Sequence, residues 1–397
     1  MIDRDSHGLR LGYPVAAVVF AVGMLGTTLP TPLYGLYRQQ IGFSELMVTI
    51  VFAVYALGVI AVLLLAGNFS DESGRRPVLL CALGLSVASA LCFLFEGGLP
   101  ALFAGRLLSG FAAGLFSGAA TATVMELAPP GREARAAFAA TAANMGGLGC
   151  GPLLSGLLAQ YAPWPLKLSF LVDLTLVAVA SVLTWYLPET VRHPQRRPKL
   201  HPQGLKVPPQ VRGVFVPAAL AGFAGFALLG LFTSVAPSFV AQTLHVSNLA
   251  VSGAVVFSVF VGSTAGQALM GRLGVRRALP AGCLVLVAGL LLVAASLAFE
   301  SLALLVVGAV CGGLGQGLAF RAAISSIGAA APPEQRGGTI STFFVVAYIG
   351  ISVPVVGVGA LTLALGLRGA GLVFTGCVVI LAVCAGLYQL RRPPAES

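Results

Sequence analysis

The chain has 397 residues, 57% hydrophobic and only 9% charged, with a mean hydropathy of +0.95. That balance excludes a soluble globular fold, and 50 glycines would weaken a soluble helical protein, whereas in lipid small residues let helices approach closely. The formal net charge of +10 does not point to nucleic acid, because the basic residues lie in short segments between apolar stretches.

A helix that crosses a bilayer needs roughly 20 mostly apolar residues. Such stretches occur near 13–37, 47–69, 77–95, 100–127, 136–160, 166–187, 214–241, 250–271, 278–298, 302–328, 338–364 and 369–390. The expected fold class is therefore all-α and integral to the membrane. Assigning the loops to alternating sides sorts the charges. Arg75, Arg76, Arg132, Arg135, Arg192, Arg196, Arg197, Lys199, Lys206, Arg212, Arg276, Arg277, Arg336, Arg391 and Arg392 fall on one side, and only Arg38, Lys167 and Arg368 on the other. Positive loops stay cytoplasmic, so both termini are expected inside, as an even number of spans also requires. Met1 to Gly12 is mixed in charge and precedes a full-length apolar stretch, so no cleavable signal is expected.

The first span contains Leu25-Gly26-Thr27-Thr28-Leu29-Pro30-Thr31-Pro32 and has no carboxylate. The loop after the second span concentrates charge in Gly67-Asn68-Phe69-Ser70-Asp71-Glu72-Ser73-Gly74-Arg75-Arg76-Pro77. There Gly67 and Gly74 permit close packing and a turn, Asp71 can accept from helix-end amides, and Arg75 and Arg76 can bind carboxylates. Glu126, at the end of the fourth span, is the expected partner of Arg75. Arg106 lies within the fourth span, where an unpaired Arg costs at least ~2.5 kcal/mol, which makes it a functional candidate or a structural partner of backbone carbonyls. The fifth span reads Gly147-Leu148-Gly149-Cys150-Gly151-Pro152-Leu153-Leu154-Ser155-Gly156, a face of small residues bent by proline.

Asp173, in the sixth span, is the only carboxylate well inside the expected segments. Counting from Pro165 and Pro100 places Asp173 and Arg106 at similar depth, roughly 10 Å below one face at ~1.5 Å per residue. Asp173 is read as a proton carrier or sensor, with a hydrogen-bonded structural Asp as the competing reading. Residues 188–212, rich in proline and charge, form a linker. The expected domains are thus 1–187, the linker 188–212, and 213–397. A shift of about 203 positions lays Gly110 on Gly313, Ala128-Pro129-Pro130 on Ala331-Pro332-Pro333, and Gly156 on Gly359, so the halves repeat. In the tenth span Gln316 falls near the midplane with Phe320 on its face at i+4. Arg321 lies deeper, where it could attract an anion or join a gate. Tyr34, Tyr37, Phe116, Phe223, Phe226, Phe232 and Tyr348 are candidate aromatic contacts, each more simply read as packing.

The seven cysteines (Cys81, Cys92, Cys150, Cys283, Cys311, Cys377, Cys384) have no metal-ligand spacing and read as packing residues. The four histidines (His7, His193, His201, His245) lie outside the expected spans, so no metal, cofactor or catalytic chemistry is expected.

The spacing G-x-x-x-D-x-x-G-R-R from Gly67 to Arg76 resembles the loop between the second and third helices of major facilitator superfamily transporters. The resemblance implies twelve helices in two pseudo-symmetric six-helix bundles. It also implies that Gly67, Asp71, Gly74, Arg75, Arg76 and Glu126 form a cytoplasmic gate that locks the halves in the outward-open state. Gly147, Gly151, Pro152 and Gly156 are similar to a pattern of the superfamily's drug:proton antiporters, with Ser155 in place of a glycine. Arg106 matches an R-x-x-x-G motif of the fourth helix, which implies a role in coupling. Some relatives carry an acid two residues after the glycine of the first helix, a position held here by Thr28.

The expected function is alternating-access transport of a small organic molecule, as proton-coupled efflux of a hydrophobic drug or secondary metabolite. Its expected partners are that solute, protons and the lipid bilayer, in a bacterial inner membrane and as a functional monomer. A proton-coupled uptake symporter is the alternative, and a membrane-embedded transferase or a non-transporting receptor is the alternative of another class.

Overall fold

The computed structural model describes residues 3–66, 69–95, 97–191, 204–205 and 207–391. Gly67 of the loop motif, Arg192, Arg196, Arg197, Lys199 and Lys206 of the linker, His193, His201 and Arg392 lie outside the described residues. Lipid offers the backbone no hydrogen-bond partner, so an apolar chain crossing it closes its amides within each segment as helix. The described elements are all helical: α1 (Asp3–Thr28), α2 (Tyr34–Ile41), α3 (Glu45–Ala66), α4 (Phe69–Ser73), α5 (Arg75–Leu94), α6 (Gly98–Glu126), α7 (Glu133–Tyr161), α8 (Leu168–Tyr186), α9 (Arg212–Ser234), α10 (Ala236–Gln242), α11 (Leu249–Leu273), α12 (Val275–Phe299), α13 (Leu302–Ala330) and α14 (Arg336–Arg391).

Ten described segments are long and apolar enough to cross a membrane. One is the 57-residue run Pro333–Gln389, which holds two crossings divided at Gly366, where φ is 68° and ψ 175°. The remaining crossing is α7, whose 29 residues suffice in length although its glycines dilute its apolar content. The count of twelve follows from adding these two to the ten.

Proline sets the departures from the expected spans. The stretch expected as one helix over 13–37 stops at Thr28, passes through a 3-10 turn at Thr31–Leu33 and resumes as α2, because Pro30 and Pro32 supply no amide hydrogen. Likewise the stretch expected at 214–241 divides at Val235, with Pro237 in the first turn of α10.

The chain forms two compact units. The first comprises Met1–Ile41 and Val54–Gln203, and within it α5 packs on α6 and α8, and α1 on α6 and α7. The second comprises Gly42–Ala53 and Gly204–Ser397, with α13 against α11 and α12, and α9 against α13 and α14. The division after Gln203 falls inside the expected linker. Residues Gly42–Ala53, however, group with the second unit rather than with 1–187. The reason is polar and local: the Glu45 carboxylate accepts from the Ser238 hydroxyl at 3.0 Å and the Gln242 amide at 2.5 Å, while Thr49 lies against Gly359. At the expected end of the linker, Pro209–Val211 form a 3-10 turn leading into α9.

Candidate functional site

At the α4–α5 junction of the first unit, Gly74 adopts φ 97° and ψ 149° immediately before the first turn of α5. That φ suits glycine, and a Cβ there would also stand 2.7 Å from a Glu189 carboxylate oxygen. The turn aims the buried Arg75 side chain into a ring of acceptors. Its Nη2 and Nε donate to the two oxygens of Glu126 at 2.8 and 3.2 Å, a bidentate fork, and Nη1 meets Asp71 at 2.5 Å and the Ser70 hydroxyl at 2.6 Å.

Two expected roles come out differently. The helix-end amides that Asp71 was expected to satisfy are taken by Glu189: its carboxylate accepts the backbone N–H of Arg75 at 2.9 Å and of Arg76 at 3.0 Å. Asp71 sits four residues before Arg75 and pairs with its side chain instead. Arg76 does not join the carboxylates, because adjacent helical residues point in different directions; its guanidinium lies 4.6 Å from the Trp185 ring centroid.

Glu189 and Thr190 are members of the cluster that reading the sequence missed. Thr190 donates to Glu126 at 2.5 Å, so the segment leaving α8 ties both ends of the cluster. A signal was available, since Glu189 is the sole acid of the otherwise basic stretch 188–212. Replacing Glu189 by Ala leaves helix-end amides without their acceptor and is expected to cost about 1 kcal/mol, read as a lower unfolding midpoint in detergent, with slowed transport. An unchanged midpoint would show that the cap contributes nothing.

The motif glycines of α7 meet α1. A Cβ on Gly147 would strike the Ala21 carbonyl, and one on Gly151 the Leu25 carbonyl and, at 2.6 Å, the Thr28 hydroxyl. Thr28 itself donates across the seam to the Leu148 carbonyl at 2.7 Å. It is therefore committed to joining α1 to α7, with Pro152 and Gly156 buried further along the same helix.

Arg106 and Asp173 do not pair. Arg106 is buried, donates from Nη1 to the Thr27 carbonyl at 2.6 Å and stands 4.7 Å from the Tyr55 ring centroid. The bond to the Thr27 carbonyl is of the kind that the backbone-carbonyl reading of Arg106 expects. Asp173 is 2% exposed and its Oδ1 has no protein partner, as is also true of the buried Tyr34 hydroxyl.

In the second unit Gln316 is buried, and its side-chain oxygen accepts from Ser263 at 2.6 Å. Gln267 donates to the same Ser263 hydroxyl at 3.4 Å, and its carbonyl accepts from Arg321 at 2.7 Å. Phe320 leaves this polar chain for an aromatic group, with ring centroids 5.4 Å from Phe226, which in turn stands 5.6 Å from Tyr348. Polar and aromatic surfaces thus adjoin on α13, although Gln316 is already engaged with α11.

The family model for the Major Facilitator Superfamily matches residues 16–293 and 218–397. Multidrug resistance protein MdtL of Klebsiella pneumoniae (strain 342) is 38% identical over 88 residues, which are 22% of this chain and 20% of that protein. The match therefore spans about a fifth of that relative's length. Among solved structures, a bacterial homolog of the human lysosomal transporter Spinster superposes with a TM-score of 0.71 at 17% identity, covering 100% of both chains. The human organic anion transporter MFSD10 gives 0.68 at 20% identity, covering 96% of this chain and 99% of its own. A twelve-crossing helical chain with this family match over most of its length is a membrane transporter, and it belongs to the Major Facilitator Superfamily.

Proposed function

We propose that the protein exports a hydrophobic organic molecule in exchange for protons, as a monomer in a bacterial inner membrane with both termini cytoplasmic. The observation that carries this reading is the α1–α7 seam, where the glycines of the antiporter-like motif bring backbone against backbone. The partial likeness to a multidrug resistance protein supports the same direction of transport. The Arg75 cluster, with Asp71, Gly74, Glu126 and Glu189, serves as a cytoplasmic latch whose release accompanies the change of access.

The solute is neutral or weakly anionic. Arg321 follows Phe320 in sequence, Phe320 joins Phe226 and Tyr348 in an aromatic group, and the resemblance in fold to an organic anion transporter is in keeping with such a solute. Proteoliposomes loaded with a pH dye test the reading. Adding hydrophobic drugs and organic acids one at a time is expected to drive protons opposite to the solute. Solute movement with co-flowing protons would instead establish a symporter, and movement without protons a facilitator.

A further inference from the structure

A small polar cavity lies inside the first unit, lined by Gly26 and Thr27 of α1, Ser86, Ser89 and Phe93 of α5, Ser109 of α6, and Phe170 and Asp173 of α8. It has room for about one water. Among the described residues that line it, Asp173 is the one carboxylate and the one titratable group. None of the facing groups is a cation. On α1 and α5 they are glycine, hydroxyl, alanine and phenylalanine, and on α6 a serine. The nearest charge in sequence to that wall is Arg106, one turn before Ser109, and it donates to the Thr27 carbonyl.

The carboxyl fits a gap in α1. A Cβ on Gly26 would stand 3.0 and 3.1 Å from the two Asp173 oxygens, closer than ordinary van der Waals contact. The Ser109 hydroxyl, buried on the cavity wall, has no protein partner, nor does Asp173 Oδ1. Stacked rings of Phe93 and Phe170, 5.2 Å apart and 3° from parallel, close one side. Tyr37 fixes this wall by donating to the Phe93 carbonyl at 3.2 Å.

We propose that Asp173, reaching from α8 into the slot left by Gly26, is the carboxylate that takes up and releases the coupling proton. It stands in place of the acid that similar antiporters carry on the first helix, where this chain has Thr28. The inference rests on the proton-driven reading above. An ionised carboxylate in the closed cavity would face neither a cation nor a backbone donor, and an uncompensated buried charge is costly. The carboxyl form carries no such cost, and water admitted to the cavity would favour ionisation. Each step balances as a single transfer: a proton leaves hydronium for a carboxylate oxygen on uptake, and returns to water on release.

Infrared difference spectra of the protein in vesicles, recorded between acidic and alkaline buffer, read the group without requiring any solute. The expected result is a protonated-carboxyl stretch that disappears at alkaline pH, shifts in heavy water, and is absent from Asp173→Asn. A band that persists in Asp173→Asn, or none at all, overturns the proposal. So does a band removed at constant pH by sodium, which would assign the site to a metal cation. Should Asp173→Asn not fold, Ser109→Ala is expected to shift the band's frequency, and an unmoved band overturns the proposal equally. A titrating band in a protein that moves no protons with any solute would sink the efflux reading and leave Asp173 a titrating carboxyl with no coupling role. Proton-coupled export by Asp173→Asn would keep the efflux reading and overturn the proposal.

Discussion

Arg75→Ala is expected to lower the initial rate of transport at least tenfold in vesicles, the largest effect of any single change in the α4–α5 cluster. The side chain holds Asp71 and Glu126 directly, and its backbone amide holds Glu189. Removing the guanidinium leaves three carboxylates around one helix end with their central cation gone. Hydrogen bonds to charged groups contribute about 1.5–3 kcal/mol each at their strongest. Glu126 is partly exposed, with 37% of its side chain accessible, so solvent screens some of that loss. Arg75→Lys keeps the charge but cannot span both oxygens of Glu126, and an intermediate rate is expected. Glu126→Gln removes one acid and leaves the rest of the ring, so its effect is smaller than that of Arg75→Ala. In the double change Arg75→Ala, Glu126→Ala, part of the stability returns, because the repulsion left by the first change is relieved by the second. Arg75→Ala with the rate of the unaltered protein would remove the cluster from the transport cycle.

Gly151→Val is expected to be more damaging to folding than any surface change, by about 3 kcal/mol or more. Its side chain would enter the space of the Leu25 carbonyl, the Thr28 hydroxyl and the Leu29 amide. Two of those three are backbone atoms, which cannot rotate out of the way as a long side chain would. The strain must separate α1 from α7 and break the Thr28 bond to Leu148. Gly146→Val supplies the comparison, since a Cβ on Gly146 meets nothing within 4 Å. Unfolding midpoints in detergent, followed by size-exclusion chromatography, separate the two: a lowered midpoint for Gly151→Val and a nearly unchanged one for Gly146→Val. Equal midpoints would mean that the seam has slack.

The all-helical membrane fold and its apolar stretches were legible from composition and spacing. Lipid leaves an apolar chain of about 20 residues almost no choice but helix, and Pro30, Pro32 and Gly366 mark breaks within the longest stretches. That is why the partner of Arg75 could be named from Glu126's place at the end of the fourth span. The role of Glu189 could not, because the bond it makes to the Arg75 amide joins residues 114 positions apart.

By itself, then, the sequence determined the class of fold, the family and which residues carry charge in a chain that has little of it. Tertiary structure alone decided which of them meet: Thr28 with α7, Arg106 with the Thr27 carbonyl, and Asp173 with the gap at Gly26. The physical reason lies in the solvent. A helix in water shows its buried face by an apolar stripe, whereas a helix in lipid is apolar on every side. The facing of each helix is then set by small residues and a few buried hydrogen bonds between distant segments.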